Sequence, residues 1–143
     1  LKYNKPNAVV VALGVNDLIH PGIAVAQTEF PTFEEMIEGY RYLLSVIREH
    51  DAKAIISTIT PFMKSNVAIL DEAEVLRNKL NDWIRTQTEF DLVLDMARIV
   101  EDRNDPSILA DAFKGDDHLH WDAVGGQIIA DSINVEEILD LIK

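Results

Sequence analysis

The segment Ala8-Val9-Val10-Val11-Ala12-Leu13 constrains this chain most. It is six apolar residues in succession, three of them valine, with no polar alternation. A strand with one solvated face alternates, so an unbroken run is expected of a strand buried on both faces, as in a parallel sheet. Gly14 ends the run. A second apolar stretch covers Ala54–Ile59 and is closed by Thr60-Pro61. A short third one, Leu92–Leu94, follows Phe90.

Helical patterns lie between these strands. Thr32 with Glu35 forms a capping-box signature. Met36, Ile37, Tyr40, Leu43, Leu44 and Ile47 follow at helical spacing, which predicts an amphipathic helix over 33–49. Asp71 and Glu74 repeat the signature, and Ala73, Leu76, Leu80, Trp83 and Ile84 mark a second helix over 72–87. Asp122 is placed to cap a last main helix bearing Val124, Ile128, Ile129 and Ile133. Val135–Ile142 continues helical after a break at Asn134. Residues 18–31, with Pro21, Gly22 and Pro31, read as a long loop. Residues 100–116 read as irregular, with one helical turn at 108–113. The order strand, helix, strand, helix, strand, loop, helix predicts an α/β fold with right-handed crossovers and helices on both faces of a parallel sheet.

At 143 residues the chain is expected to form a single domain, 1–143. Its formal charge of −12 argues against nucleic acid and anionic lipid, both polyanions, as partners. No run is long and apolar enough for a membrane span. The absence of cysteine removes disulfides, thiolate metal sites and a Cys nucleophile. The chain begins Leu1-Lys2-Tyr3, without Met, so a natural start is not expected there.

Two tetrapeptides carry the chemistry. Gly14-Val15-Asn16-Asp17 stands at the carboxyl end of the first strand, where open parallel sheets bind ligands. The Asn amide is an uncharged N–H donor suited to a developing oxyanion. The same four residues also suit an ordinary turn. Asp117-His118-Leu119-His120 precedes a helix start. A neutral imidazole can take a proton from a hydroxyl nucleophile while a carboxylate on its other nitrogen fixes the tautomer. From spacing alone either histidine could act. The His118-x-His120 pair beside Asp116 and Asp117 could instead hold a divalent metal, although a third and fourth ligand are not evident. A polar helix entrance is the simplest reading. His20 reads as a solvated loop residue, His50 as a helix-end residue favoured by the dipole, Trp83 as core, and Glu34, Glu35 and Glu38 as a solvated helix start.

The two segments resemble the third and fifth conserved blocks of the SGNH (GDSL-type) hydrolases, Gly-x-Asn-Asp and Asp-x-x-His. Val9–Leu18 is similar to the third block with its strand, and Asp117–His120 followed by Gly125 to the fifth. Between them, Thr60-Pro61-Phe62, Arg77, Asn81-Asp82-Trp83-Ile84-Arg85, Phe90-Asp91 and Asp95 resemble one bacterial subgroup of these esterases. The resemblance spans most of the chain and preserves order. It implies a three-layer, flavodoxin-like α/β fold, incomplete at the N-terminus, and an ester hydrolase of the esterase, lipase or acetylesterase type. It further implies Asn16, with Gly14, as the oxyanion site, His120 as general base, Asp117 as its orienting carboxylate, and His118 as a bystander. No cofactor or metal is implied, and the substrate would be a small ester or acylated carbohydrate.

Three departures stand out. Trp121 replaces the Pro often found after the base, and Gly126 replaces a frequent aromatic residue. The Gly-Asp-Ser block that carries the family's nucleophile has no counterpart here. Ser45, Ser57, Ser65, Ser107 and Ser132 all lie in other contexts, Ser65 being the least implausible substitute. The nucleophile is therefore expected outside this chain. The alternatives are a non-catalytic α/β assembly module and a metal-binding domain using His118 and His120. In the family's sheet the first strand would pair with Ala8–Leu13. Its absence would bare an apolar edge, inviting self-association or complementation by another segment.

Overall fold

A computed structural model of the chain describes residues 4–143. The expectation about the chain start, Leu1-Lys2-Tyr3, lies outside them. Strands β1 (Ala8–Val11), β2 (Lys53–Ser57) and β3 (Leu92–Leu94) form one sheet in the order β1-β2-β3. Both pairings are parallel, with Val11 beside Ile56 and Ser57 beside Leu94 at the carboxyl ends. The helices are α1 (Val15–Ile19), α2 (Phe33–Arg48), α3 (Asp71–Thr86), α4 (Met96–Val100), α5 (Ala123–Ser132) and α6 (Val135–Leu141).

Helix α2 starts as its signature predicts. Thr32 Oγ1 accepts from the Glu35 N–H at 3.2 Å, and Glu35 Oε2 accepts from the Thr32 N–H at 2.8 Å. Its buried stripe of Met36, Ile37, Tyr40, Leu44 and Ile47 joins α3 on one face of the sheet, against Val9, Val11, Ala54, Ile56 and Val93. Ile55 is fully buried on the opposite face. There α4 and α5 form a second cluster around Val100, Leu109 and Ile129. His120 and Trp121, just before α5, lie at the strand exits. Leu141 and Ile142, at the end of α6, lie beside Asn4–Asn7 and Lys53 at the strand entries. The α5–α6 layer thus runs back along the sheet, giving three layers. Asp122 caps α5 through the Gly125 N–H, and Asn134 both breaks the chain and caps α6.

Four local expectations are corrected. The first strand stops at Val11 rather than Leu13, and it is not buried on both faces: Val10 is 49% and Leu13 58% exposed. Among the described residues β1 is an edge strand with a neighbour on one side only. The α5–α6 layer leaves it uncovered, its own Val124, Ile128, Val135 and Leu139 staying exposed. Helix α3 begins at Asp71 with Leu70 at the N-cap and no side-chain cap. Glu74 bonds Arg77 at 2.6 and 2.7 Å, a charge-assisted pair stronger than a neutral cap bond. The loop expected over 18–31 contains the end of α1 and a 3₁₀ turn at Gln27–Glu29. Of the helical turn expected at 108–113, a single hydrogen-bonded turn forms at 111–113, with the Phe113 N–H on Ala110 O at 2.9 Å, while Leu109 forms an antiparallel bridge with Glu101.

Candidate functional site

The exit of β1 is shaped by Gly14. It has φ of 121° and caps α1, and a Cβ there would lie 2.7 Å from the Tyr40 hydroxyl and 2.9 Å from Ile59 Cδ1. Only glycine fits such a backbone and such a space. Tyr40 donates to the Leu13 carbonyl at 2.9 Å, pulling the chain away from the ladder and into α1. Burial, reinforced by the Asp17 carboxylate, pushes the Tyr40 hydroxyl well above its ordinary range, so it stays a donor. Asn16 then falls in the first turn of α1, exposed. Its side-chain amide makes no hydrogen bond among the described residues. The tetrapeptide is therefore a glycine-capped helix start rather than a plain turn.

Ile59, which closes over Gly14, is itself pinned. Asn81 accepts from its N–H at 2.7 Å and donates to its carbonyl at 2.9 Å. Arg77, only 2% exposed, donates to the same carbonyl at 3.2 Å and to Pro106 at 3.0 Å. Arg77 and Asn81 lie four apart on the buried face of α3, among Ala73, Leu76, Leu80 and Ile84. Two polar residues on an apolar helix stripe are the sequence signal that marks them as supports. Neither they nor Tyr40 follows from the tetrapeptides.

The second tetrapeptide closes on itself. Asp117 Oδ1 accepts from the N–H groups of Leu119 and His120 at 3.0 and 2.9 Å, and its Oδ2 meets His120 Nδ1 at 2.6 Å. A carboxylate only accepts, so Nδ1 carries the proton and Nε2 is left as the basic atom of the neutral ring. The His120 ring N–H, then the two backbone N–H groups, hold the Asp117 carboxyl far below the usual carboxylate range. His118 takes φ of 58°, which lets the turn close, and makes no hydrogen bond to Asp117. The Gly115 N–H donates to His120 O at 2.6 Å, and Asn66 donates from its backbone and side chain to the carbonyls of Asp117 and Asp116, each at 3.1 Å.

The structure brings the two tetrapeptides to one cleft of about 580 Å³ at the carboxyl ends of the strands. Gly14, Asn16 and His120 all line it, together with Leu13, Met96 and Trp121. The hydroxyls of Ser57 and Thr58 on its floor are already engaged. Ser57 donates to Thr58 O at 3.0 Å, and Thr58 donates to Asp95 at 3.0 Å while accepting from the Ala97 N–H. The cleft's unengaged polar groups among the described residues include the Asn16 amide and the outer nitrogen of His120, along with the Thr60 hydroxyl, the Asp17 carboxylate and the Trp121 N–H.

No serine among the described residues bonds His120. Ser45, Ser107 and Ser132 donate to Tyr42 O, Asp105 and Ile128 O. Ser65, whose Oγ is buried without a partner, does not line the cleft. Among the described residues no group of three or more His, Cys, Asp or Glu side chains could hold a metal, so His118 and His120 gain no further ligand. Trp83 is partly buried against the core, stacked on Tyr40 at 6.1 Å, and His50 bonds Val46 O at the end of α2. His20 is exposed.

The model of the GDSL-like lipase/acylhydrolase family matches residues 1–128. A crystal structure of a candidate acylhydrolase from Bacteroides fragilis is similar, with TM-score 0.63 and 17% identity over 96% of this chain and 64% of that one. A GDSL-like lipase from Bacteroides thetaiotaomicron is similar at TM-score 0.65 and 14% identity, over 94% of this chain and 62% of that one. This chain therefore spans less than two thirds of either. No curated protein matches.

Proposed function

The chain belongs to the GDSL-like lipase/acylhydrolase family, with its flavodoxin-like fold, and from that premise we propose that residues 1–143 carry the base half of a serine ester hydrolase active site within a single domain. His120 is the general base, Asp117 holds its tautomer, and the Asn16 amide, aimed by Gly14, stabilises the oxyanion. The serine comes from a segment outside this chain, because every serine within it is either engaged elsewhere or away from the cleft. The observation that carries this reading is the meeting of Asn16 with His120, its ring held by Asp117 at 2.6 Å, in one cleft.

In the reaction, the serine Oγ attacks the ester carbonyl as its proton passes to His120 Nε2. The carbonyl oxygen becomes an oxyanion beside Asn16. The C–O bond to the alcohol breaks as His120 returns the proton to the leaving oxygen. Water then repeats the sequence on the acyl-serine and releases the acid. No cofactor or metal takes part, and the substrate is a small ester or acylated carbohydrate. Among the described residues no helix is long and apolar enough to cross a membrane.

The test is hydrolysis of a short-chain aryl acetate by the full-length protein and by His120→Ala and Asp117→Asn. Loss of kcat by about a thousandfold or more is expected for His120→Ala. Unchanged turnover would remove His120 as base. One observation favours a second reading, an assembly module: the bare edge of β1 with Val10 exposed. Such an edge pairs with another strand, either of a second copy or of a complementing segment.

A further inference from the structure

Trp121 follows the proposed base and lines the same cleft, 42% exposed. Its backbone is fixed by an antiparallel bridge to Lys114, and by the Gly115 N–H held on the preceding carbonyl. Its side chain is seated by absences on α5. A Cβ on Gly125 would lie 3.1 Å from Trp121 Cβ, and a Cβ on Gly126 would lie 3.5 Å from Cδ1 and 3.9 Å from Nε1. The pyrrole edge thus rests over Gly126 and the Trp121 Cβ beside Gly125, and the residue lines the cleft. Leu13, 58% exposed, and half-buried Met96 and Leu119 line the same space. The cleft wall is largely apolar, the Ser57 and Thr58 hydroxyls on its floor are engaged, and Asp17 on its rim disfavours an anion.

On the reading of His120 as base, the same nitrogen must protonate the leaving alcohol, so the group beside His120 is the alcohol side of the ester. We propose that Trp121 is a specificity-determining residue, its indole the platform for a flat, uncharged ring on the alcohol side of the substrate. An aryl ring and the apolar face of a pyranose share that chemistry.

Three acetates with one acyl group test it in the full-length protein: phenyl acetate, an acetylated methyl pyranoside and methyl acetate. Trp121→Ala is expected to lower kcat/KM about fivefold, through KM, on at least one ring ester. Methyl acetate, too small to reach the indole, is expected to change less than about twofold. Trp121→Phe is expected to restore most of the loss. An effect on phenyl acetate alone assigns an aryl group, and an effect on the pyranoside assigns a sugar. Equal loss on all three, or loss on none, overturns the proposal. Binding is read separately by titrating phenol and the methyl pyranoside against tryptophan emission. Quenching in the wild type that is absent in Trp121→Phe supports the platform even if His120→Ala retains activity, which would sink the catalytic reading alone. No quenching by either ligand overturns it.

Discussion

Replacing Gly14 with alanine tests how the cleft is built. The backbone at φ of 121° and ψ of −24° is one that a Cβ strains, at about 1–3 kcal/mol. The new methyl would sit 2.7 Å from the Tyr40 hydroxyl and 2.9 Å from Ile59 Cδ1, and overpacking of that kind adds about 1–3 kcal/mol. Neither neighbour yields easily: the hydroxyl is bonded to Leu13 O, and Ile59 is clamped by Asn81. Reduced freedom of the unfolded chain returns about 0.4–1 kcal/mol. The net expectation is a loss of about 3 kcal/mol, a large part of the ~5–15 kcal/mol that holds a domain. In urea, with an m-value of about 2 kcal/mol/M, the midpoint falls by roughly 1.5 M. Tyr40→Phe alone loses one hydrogen bond, about 1 kcal/mol. Combined with Gly14→Ala it also removes the nearer clash, so the double mutant is expected to be about 1 kcal/mol more stable than the sum of the singles. Strict additivity, or a Gly14→Ala cost under about 0.5 kcal/mol, would refute the close-approach argument.

Other outcomes follow from the same geometry. Asn81→Ala strips the partner from the buried Ile59 N–H, and a loss of about 1–3 kcal/mol is expected in urea unfolding; a neutral result would mean that water replaces the amide. Asp117 has a folded pKa below its unfolded value near 3.9. Its stabilisation is therefore complete above that value and is lost as pH falls through the folded value. The urea midpoints of wild type and Asp117→Asn should differ most above about pH 4 and converge in acid; a gap that widens on acidification would reverse the assignment. Val10→Lys places a charge on the open edge of β1 and is expected to abolish any self-association of residues 1–143 in sedimentation velocity, whereas an unchanged oligomer would place its interface elsewhere.

What could be read from the sequence was what local spacing encodes. The capping box at Thr32, the stripe of α2, the break at Asn134 and the Asp117–His120 pair each close within a few residues, so their chemistry shows in one dimension. Helices α1 and α4 escape because five residues hold little more than one turn, too short for periodicity to outweigh the turn residues around Gly14 and Asp95. The exposure of Val10 escapes for another reason. An apolar run records what a strand is suited to bury, not whether a neighbour is there to bury it. Tyr40, Arg77, Asn81 and Asn66 act on backbone groups 18 to 51 residues away, and only folding reveals those targets.

Those distant contacts converge on one segment, the residues that leave β2. Thr58 is tied to Asp95 and Ala97 beyond β3. Ile59, held by Asn81 and Arg77, presses on Gly14 and so sets where Asn16 emerges. The Met63 N–H is bonded to Ser107 O, and Asn66 grips the carbonyls of Asp116 and Asp117. The amide half of the site hangs from one end of this stretch and the imidazole half from the other. Each half is held locally, and residues 58–66 make polar contacts to both, helping to set their separation. A register error there would leave the Asp117–His120 bond and the Gly14 turn intact while parting the oxyanion donor from the base. A misplacement of about 1 Å between catalytic groups can cost roughly a hundredfold in rate.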